Sequence, residues 1–93
     1  MTDLEKDLQR QCMALLKRLR VEYLHLSYRA REKKGWPDLV FCYQSKPFAV
    51  ELKTKTGKVS KAQEEVMERL ARNGWHCEVI RSVDEFVSML NQV

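Results

Sequence analysis

The sequence predicts an α/β fold with its elements in the chain order α, β, β, β, α, β, α. Two observations carry that expectation: three segments with apolar residues at helical spacing, each opened by a capping-box pair, and four short apolar runs set between them. A third is length, because 93 residues suit one compact domain over 1–93, with a modest core and one functional site or face.

Thr2 and Glu5 form a T-x-x-E capping box, and Leu4, Leu8, Cys12, Leu15, Leu16 and Leu19 then recur at helical spacing. A first helix is expected from about Asp3 to Leu19. Val21 to Leu26 alternates, with β-branched and aromatic content, and reads as a strand leading into the polar basic segment from Ser27 to Gly35. Asp38 to Tyr43 and Phe48 to Lys53 are two further strands, joined through Gln44-Ser45-Lys46-Pro47 as a hairpin. Ser60 and Gln63 open a second helix, with Ala62, Val66, Met67 and Leu70 as its buried stripe and Asn73-Gly74 as its end. Trp75 to Arg81 reads as the fourth strand. Ser82 and Glu85 open the last helix, whose Val83, Phe86, Val87 and Leu90 face inward. Met89 and Val93 extend that stripe and offer a dimer surface if the monomer's own core does not use it.

Hydrophobic residues make up 44% of the chain and charged residues 32%, a globular composition that excludes the disordered class. No segment approaches the ~20 apolar residues of a membrane span, and the first residues lack a basic stretch followed by an apolar run, so an intracellular protein without membrane contact is expected. Cys12, Cys42 and Cys77 are odd in number and show no C-x-x-C spacing, which favours reduced, buried thiols over disulfides or zinc.

Net charge is only +4, and its placement says more than its size. Arg29, Arg31, Lys33 and Lys34 crowd one segment, while Lys53, Lys55, Lys58 and Lys61 run through a stretch without acids. Charge runs are usually solvated surface. Two of them on either side of an acidic pair suggest a polyanionic substrate, with Arg29, Arg31, Lys33, Lys34, Lys55 and Lys58 as the phosphate-contacting set.

The acidic pair lies in Gly35-Trp36-Pro37-Asp38 and Glu51-Leu52-Lys53. Alternation along a strand sends Glu51 and Lys53 to one face and Val50 and Leu52 to the other. Asp38, opening the neighbouring strand, can meet Glu51 across the sheet, and two carboxylates that close call for a cation between them. Oxygen ligands of this kind suit Mg²⁺ or Mn²⁺. Lys53 then positions or helps deprotonate a water at the metal, or offsets charge on the attacked phosphate. An isolated E-x-K is more often the solvent face of an edge strand; Asp38 and the chain order weigh against that here. Removing either carboxylate is expected to spare the fold.

Glu5 falls inside the apolar arc of the first helix, so it serves either the site or the capping box, and Gln63 poses the same choice in the second helix. His25 and His76 have no partner spacing for a metal and read as strand packing or solvent-exposed residues. Trp36 is either a base-stacking residue or a core or rim aromatic.

Taken in order, Glu5, G-W-P-D, E-L-K and the following T-G-K-V-S-K-A-Q that ends on Gln63 resemble the VRR-Nuc domains of the PD-(D/E)XK nuclease superfamily over nearly the whole chain. The resemblance implies an αβββαβ core with a C-terminal helix, built as a mixed central sheet flanked by helices. It implies a metal held by Asp38, Glu51 and the backbone carbonyl of Leu52, with Glu5 reaching it through water. Lys53 would be the catalytic lysine, and Gln63 would orient Lys53 or a water. It further implies a Mg²⁺-dependent endodeoxyribonuclease, Mn²⁺ substituting, which acts as a homodimer on branched DNA in the manner of Holliday junction resolvases. Such a protein would work in DNA repair, in the cytoplasm of a bacterial or phage-infected cell. The alternatives are a nicking or restriction-like endonuclease on duplex or flap DNA, and a non-catalytic DNA-binding module, which would not need the acidic pair and Lys53 together. One departure is that many relatives carry a longer segment before G-x-P-D, where only Ser27 to Lys34 intervenes here.

Overall fold

The computed structural model describes residues 4–26 and 34–92. Thr2 and Asp3 of the first capping box, Arg29, Arg31 and Lys33 of the basic segment, and Val93 lie outside the described residues. The elements run α1 (Leu4–Arg18), β1 (Tyr23–His25), β2 (Leu39–Tyr43), β3 (Lys46–Leu52), α2 (Lys61–Arg72), β4 (His76–Ile80) and α3 (Val83–Asn91). The order is the one expected. The four strands form one sheet in the order β1-β2-β3-β4, antiparallel except for the parallel pairing of β3 with β4. A mixed sheet flanked by helices and followed by a C-terminal helix is the architecture the resemblance implies.

One face of the sheet carries Leu39, Phe41, Phe48, Val50, Leu52 and Ile80, which pack against Leu8, Cys12 and Leu16 of α1 and Phe86, Met89 and Leu90 of α3. Phe41 and Phe48 are cross-strand partners with stacked rings 5.1 Å apart. Leu4 and Leu19 fall outside this core and are exposed. The opposite face is covered by α2, whose buried apolar contact narrows to Val66, while Ala62, Met67 and Leu70 stay half-buried. Met89 is 1% exposed, so it belongs to the monomer's core and offers no dimer surface. Cys42 departs from the expectation of buried thiols and is exposed, whereas Cys12 is buried and Cys77 half-buried; all three are free.

Element boundaries differ from the sequence reading for local reasons. Arg20 takes φ 59°, and its N–H and that of Val21 return to the carbonyls of Lys17 and Leu16. Val21 is therefore consumed in closing α1, and β1 shrinks to three residues. The hairpin turns on Gln44 and Ser45 alone, with φ 50° and 66°, and Lys46 and Pro47 join β3. Pro47 is tolerated there because the ladder to β4 begins only at Phe48, where no proline N–H is needed. Helix α2 ends where Asn73-Gly74 predicts, with Gly74 at φ 94° and the Trp75 N–H returning to the Leu70 carbonyl.

Candidate active site

The register of the central hairpin places the two acids. Its last pair is Leu39↔Val50, so the next residue along each strand sets Asp38 opposite Glu51. The Asp38 backbone is held on its other side, where its carbonyl accepts the Leu26 N–H at 2.8 Å. Both acids are buried, at 5% and 2% exposure. Val50 and Leu52 point into the core, which sends Glu51 and Lys53 to the α2 face.

Asp38 Oδ2 accepts the Leu52 N–H at 2.8 Å. In this hairpin the residues of β3 that bond to β2 alternate from Lys46 through Phe48 and Val50, and Leu52 is next. Its partner on β2 would be Pro37, which has no N–H to give the Leu52 carbonyl. The carboxylate of Asp38 takes the Leu52 N–H instead. Proline before the acid thus leaves a main-chain carbonyl of β3 without its ladder donor, beside the two carboxylates.

Glu51 Oε2 is approached from two directions. Lys53 Nζ lies 3.6 Å from it, and Gln63 Nε2 donates to it at 2.9 Å. Gln63 also completes the cap of α2: its Oε1 accepts the Ser60 N–H at 2.8 Å and its own N–H donates to Ser60 Oγ at 3.1 Å. Capping and site contact are therefore not alternatives, since the amide oxygen serves the cap and the amide nitrogen serves Glu51. The cap fixes which way the amide is turned. Gln63 touches Glu51 rather than Lys53.

Gly35 explains how α2 comes close enough. At φ 93° it stands where a Cβ would meet the Ala62 carbonyl oxygen at 2.5 Å and Val66 Cγ2 at 3.1 Å. Only glycine lets the segment leading to Asp38 cross the first turn of α2 at that distance. Trp36 is half-buried beside it.

Glu5 is half-buried in the first turn of α1. Among the described residues, His, Cys, Asp and Glu form no cluster of three or more able to hold a metal. At the strand ends stand Asp38, Glu51 and Leu52, the first bonded to the Leu52 N–H. Lys34, Lys55 and Lys58 are exposed. His76 stacks on Phe48 with ring centroids 4.9 Å apart and its Nε2 lies 2.7 Å from Glu78 Oε1, a packing role. Sequence reasoning missed Arg81, whose Nη1 donates to the carbonyls of Thr54 at 2.8 Å and Gly57 at 2.6 Å. No spacing or periodicity marks that contact, because it joins two loops 24–27 residues apart.

The sequence profile of the VRR-NUC domain matches residues 2–84. A solved structure described as a VRR_NUC domain protein superposes with a TM-score of 0.77 at 25% identity, covering 95% of this chain and 85% of that chain. A second, described as a VRR_NUC domain, reaches a TM-score of 0.81 at 22% identity over 97% of both chains, a likeness of fold. A search of curated proteins finds no match.

Proposed function

This chain belongs to the VRR-NUC domain family and is a nuclease-type domain, and from that premise we propose that it is a Mg²⁺- or Mn²⁺-dependent DNA endonuclease working at Asp38, Glu51 and Lys53. The observation that carries the reading is that Asp38 and Glu51, both buried, stand one residue beyond the last pair of the hairpin, with Asp38 bonded to the Leu52 N–H and Lys53 Nζ 3.6 Å from Glu51 Oε2. Two buried carboxylates and a main-chain carbonyl are the hard oxygen set a small divalent cation prefers.

In this reading Asp38, Glu51 and the Leu52 carbonyl would hold the cation, and Glu5 would reach it through water as the resemblance implies. When bound, the cation supplies Lewis acidity toward a phosphodiester oxygen and lowers the pKa of a coordinated water. Gln63 holds Glu51 in one rotamer. Lys53 places a positive charge where the attacked phosphate gains negative charge. Lys34, Lys55 and Lys58, with Arg29, Arg31 and Lys33, contact backbone phosphates and give affinity without sequence preference.

Branched DNA is the proposed substrate, cut by a homodimer. One such site cuts one strand, and this chain has a single set of Asp38, Glu51 and Lys53, so paired incisions need a second subunit. A cleavage panel of four-way junction, flap, splayed-arm and linear duplex with Mg²⁺, Mn²⁺ or EDTA tests this, read together with light scattering at micromolar concentration. Paired symmetric cuts in the junction by a dimer support it. Single nicks by a monomer would shift the reading to a nicking enzyme, and metal-independent binding without cuts would leave a DNA-binding module.

A further inference from the structure

We infer that Arg81 is a positioning residue that locks the lysine-bearing turn after β3 into a phosphate-binding conformation, an inference that rests on the nuclease reading. Arg81 follows the last residue of β4, and the Ile80 carbonyl before it accepts the Lys53 N–H at 3.0 Å. It therefore stands beside the point where the chain leaves the sheet at Lys53. From there its Nη1 donates to the Thr54 and Gly57 carbonyls at 2.8 and 2.6 Å, with the Lys55 carbonyl at 3.4 Å. The Gly57 N–H closes the same turn onto the Thr54 carbonyl at 3.1 Å.

The anchor itself is fixed. Arg81's own N–H is held by Glu85 Oε1 at 2.8 Å, and Ser82, the next residue, caps α3 by accepting the Glu85 N–H at 3.1 Å. Helix α3 thus holds Arg81, and Arg81 holds the turn. With the carbonyls of 54, 55 and 57 gathered on one guanidinium, the turn faces inward through its backbone. Lys55 and Lys58 are exposed on it, a short distance along the chain from Lys53.

A free turn would have to be ordered each time DNA bound, and pre-ordering it spares that cost. Arg81 should therefore act on affinity through Lys55 and Lys58, and on KM more than on kcat.

The test is a double-mutant cycle. Arg81→Gln is made in the wild-type chain and in a Lys55→Ala/Lys58→Ala chain, and affinity for a four-way junction and a linear duplex is measured with EDTA over a range of salt. In the wild-type background the expected result is a several-fold loss of affinity and a salt slope reduced by about 0.9 for each lysine that no longer reaches a phosphate. Amide exchange at 54–58 rises, and KM rises while kcat holds within about threefold. In the lysine-free background the same substitution has no further effect, and in the wild-type background Arg81→Lys recovers part of the loss. An equal loss in both backgrounds overturns the inference, because Arg81 would then act on DNA or on the fold directly. Faster exchange at 54–58 with unchanged affinity and slope overturns it too. If Arg81→Gln loses its far-UV signal, Arg81→Lys runs through the same cycle with the same criteria. A wild-type protein without salt-dependent DNA affinity overturns the nuclease reading itself, before any variant is compared.

Discussion

Asp38 and Leu52 are joined by a hydrogen bond that belongs to neither a regular ladder nor a simple side-chain contact: the carboxylate takes the N–H that the strand would otherwise offer to Pro37. Pro37 has no N–H to continue the ladder, and the bond to Leu52 makes the first acid of the site part of the sheet. The same residue that would hold a cation also closes a buried main-chain donor.

That dual role changes what removal of Asp38 should do. Asp38→Ala strands the buried Leu52 N–H and should lower unfolding free energy by about 1–3 kcal/mol, against the sequence-based expectation of an unharmed fold. Asp38→Asn keeps a carbonyl oxygen for that N–H and should stay near wild-type stability. Both should lose cleavage. Urea unfolding of the two variants separates the roles, and equal stability of Ala and Asn would show that the hydrogen bond counts for nothing.

Gln63 should divide in the same way. Gln63→Glu retains an oxygen for the Ser60 N–H but sets a carboxylate against Glu51, so helix content should hold while cleavage falls about 10–100-fold. Gln63→Ala should lose both functions, with a stability cost of about 0.3–1.5 kcal/mol from the cap. Circular dichroism and cleavage rates are the readouts. Wild-type cleavage in Gln63→Glu would leave the amide with capping alone.

The thiols should respond by position. Burial raises the Cys12 thiol from 9.0 to about 12, whereas Cys42 is exposed. In the native protein a thiol reagent should modify Cys42 quickly and Cys12 only on unfolding. Because the folded-state pKa of Cys12 is raised, its contribution is fully present below about pH 9 and is lost as pH climbs toward about 12. Cys12→Ala should flatten that alkaline loss in a pH series of melting curves; an unchanged profile would assign it elsewhere.

Much of this was legible because the signals were local. The capping box at Ser60, the Ser82 cap, the Asn73-Gly74 stop and the apolar spacing each act over a few residues, and the helices begin and end close to where those signals put them; at Ser82 only half of the expected box forms, because the Glu85 carboxylate takes the Arg81 N–H instead of that of Ser82. The alternation Val50, Glu51, Leu52, Lys53 was enough to put one acid and one ammonium on a shared face. Other features needed distances between remote residues. Met89 looked spare on its helix until the sheet filled the space beside it. Gln63 was ambiguous on the wheel because its amide has two ends and uses both. The value of Gly35 depends on Ala62, and that of Arg81 on Thr54 and Gly57, and neither pairing leaves a pattern in the sequence.

If the oxygen donors around Glu51 hold a divalent cation that drives DNA cleavage, cleavage must depend on both the cation and the Glu51 carboxylate. The most direct measurement is the single-turnover cleavage rate of a four-way junction as a function of Mg²⁺, for the wild-type protein and Glu51→Gln, with DNA affinity measured in parallel. Losing several kcal/mol of transition-state stabilisation corresponds to a rate lower by about a thousandfold. That fall is expected in Glu51→Gln at unchanged DNA affinity, together with abolition of wild-type cleavage by EDTA. Cleavage that persists in EDTA, or a Glu51→Gln variant that cuts at the wild-type rate, would contradict it.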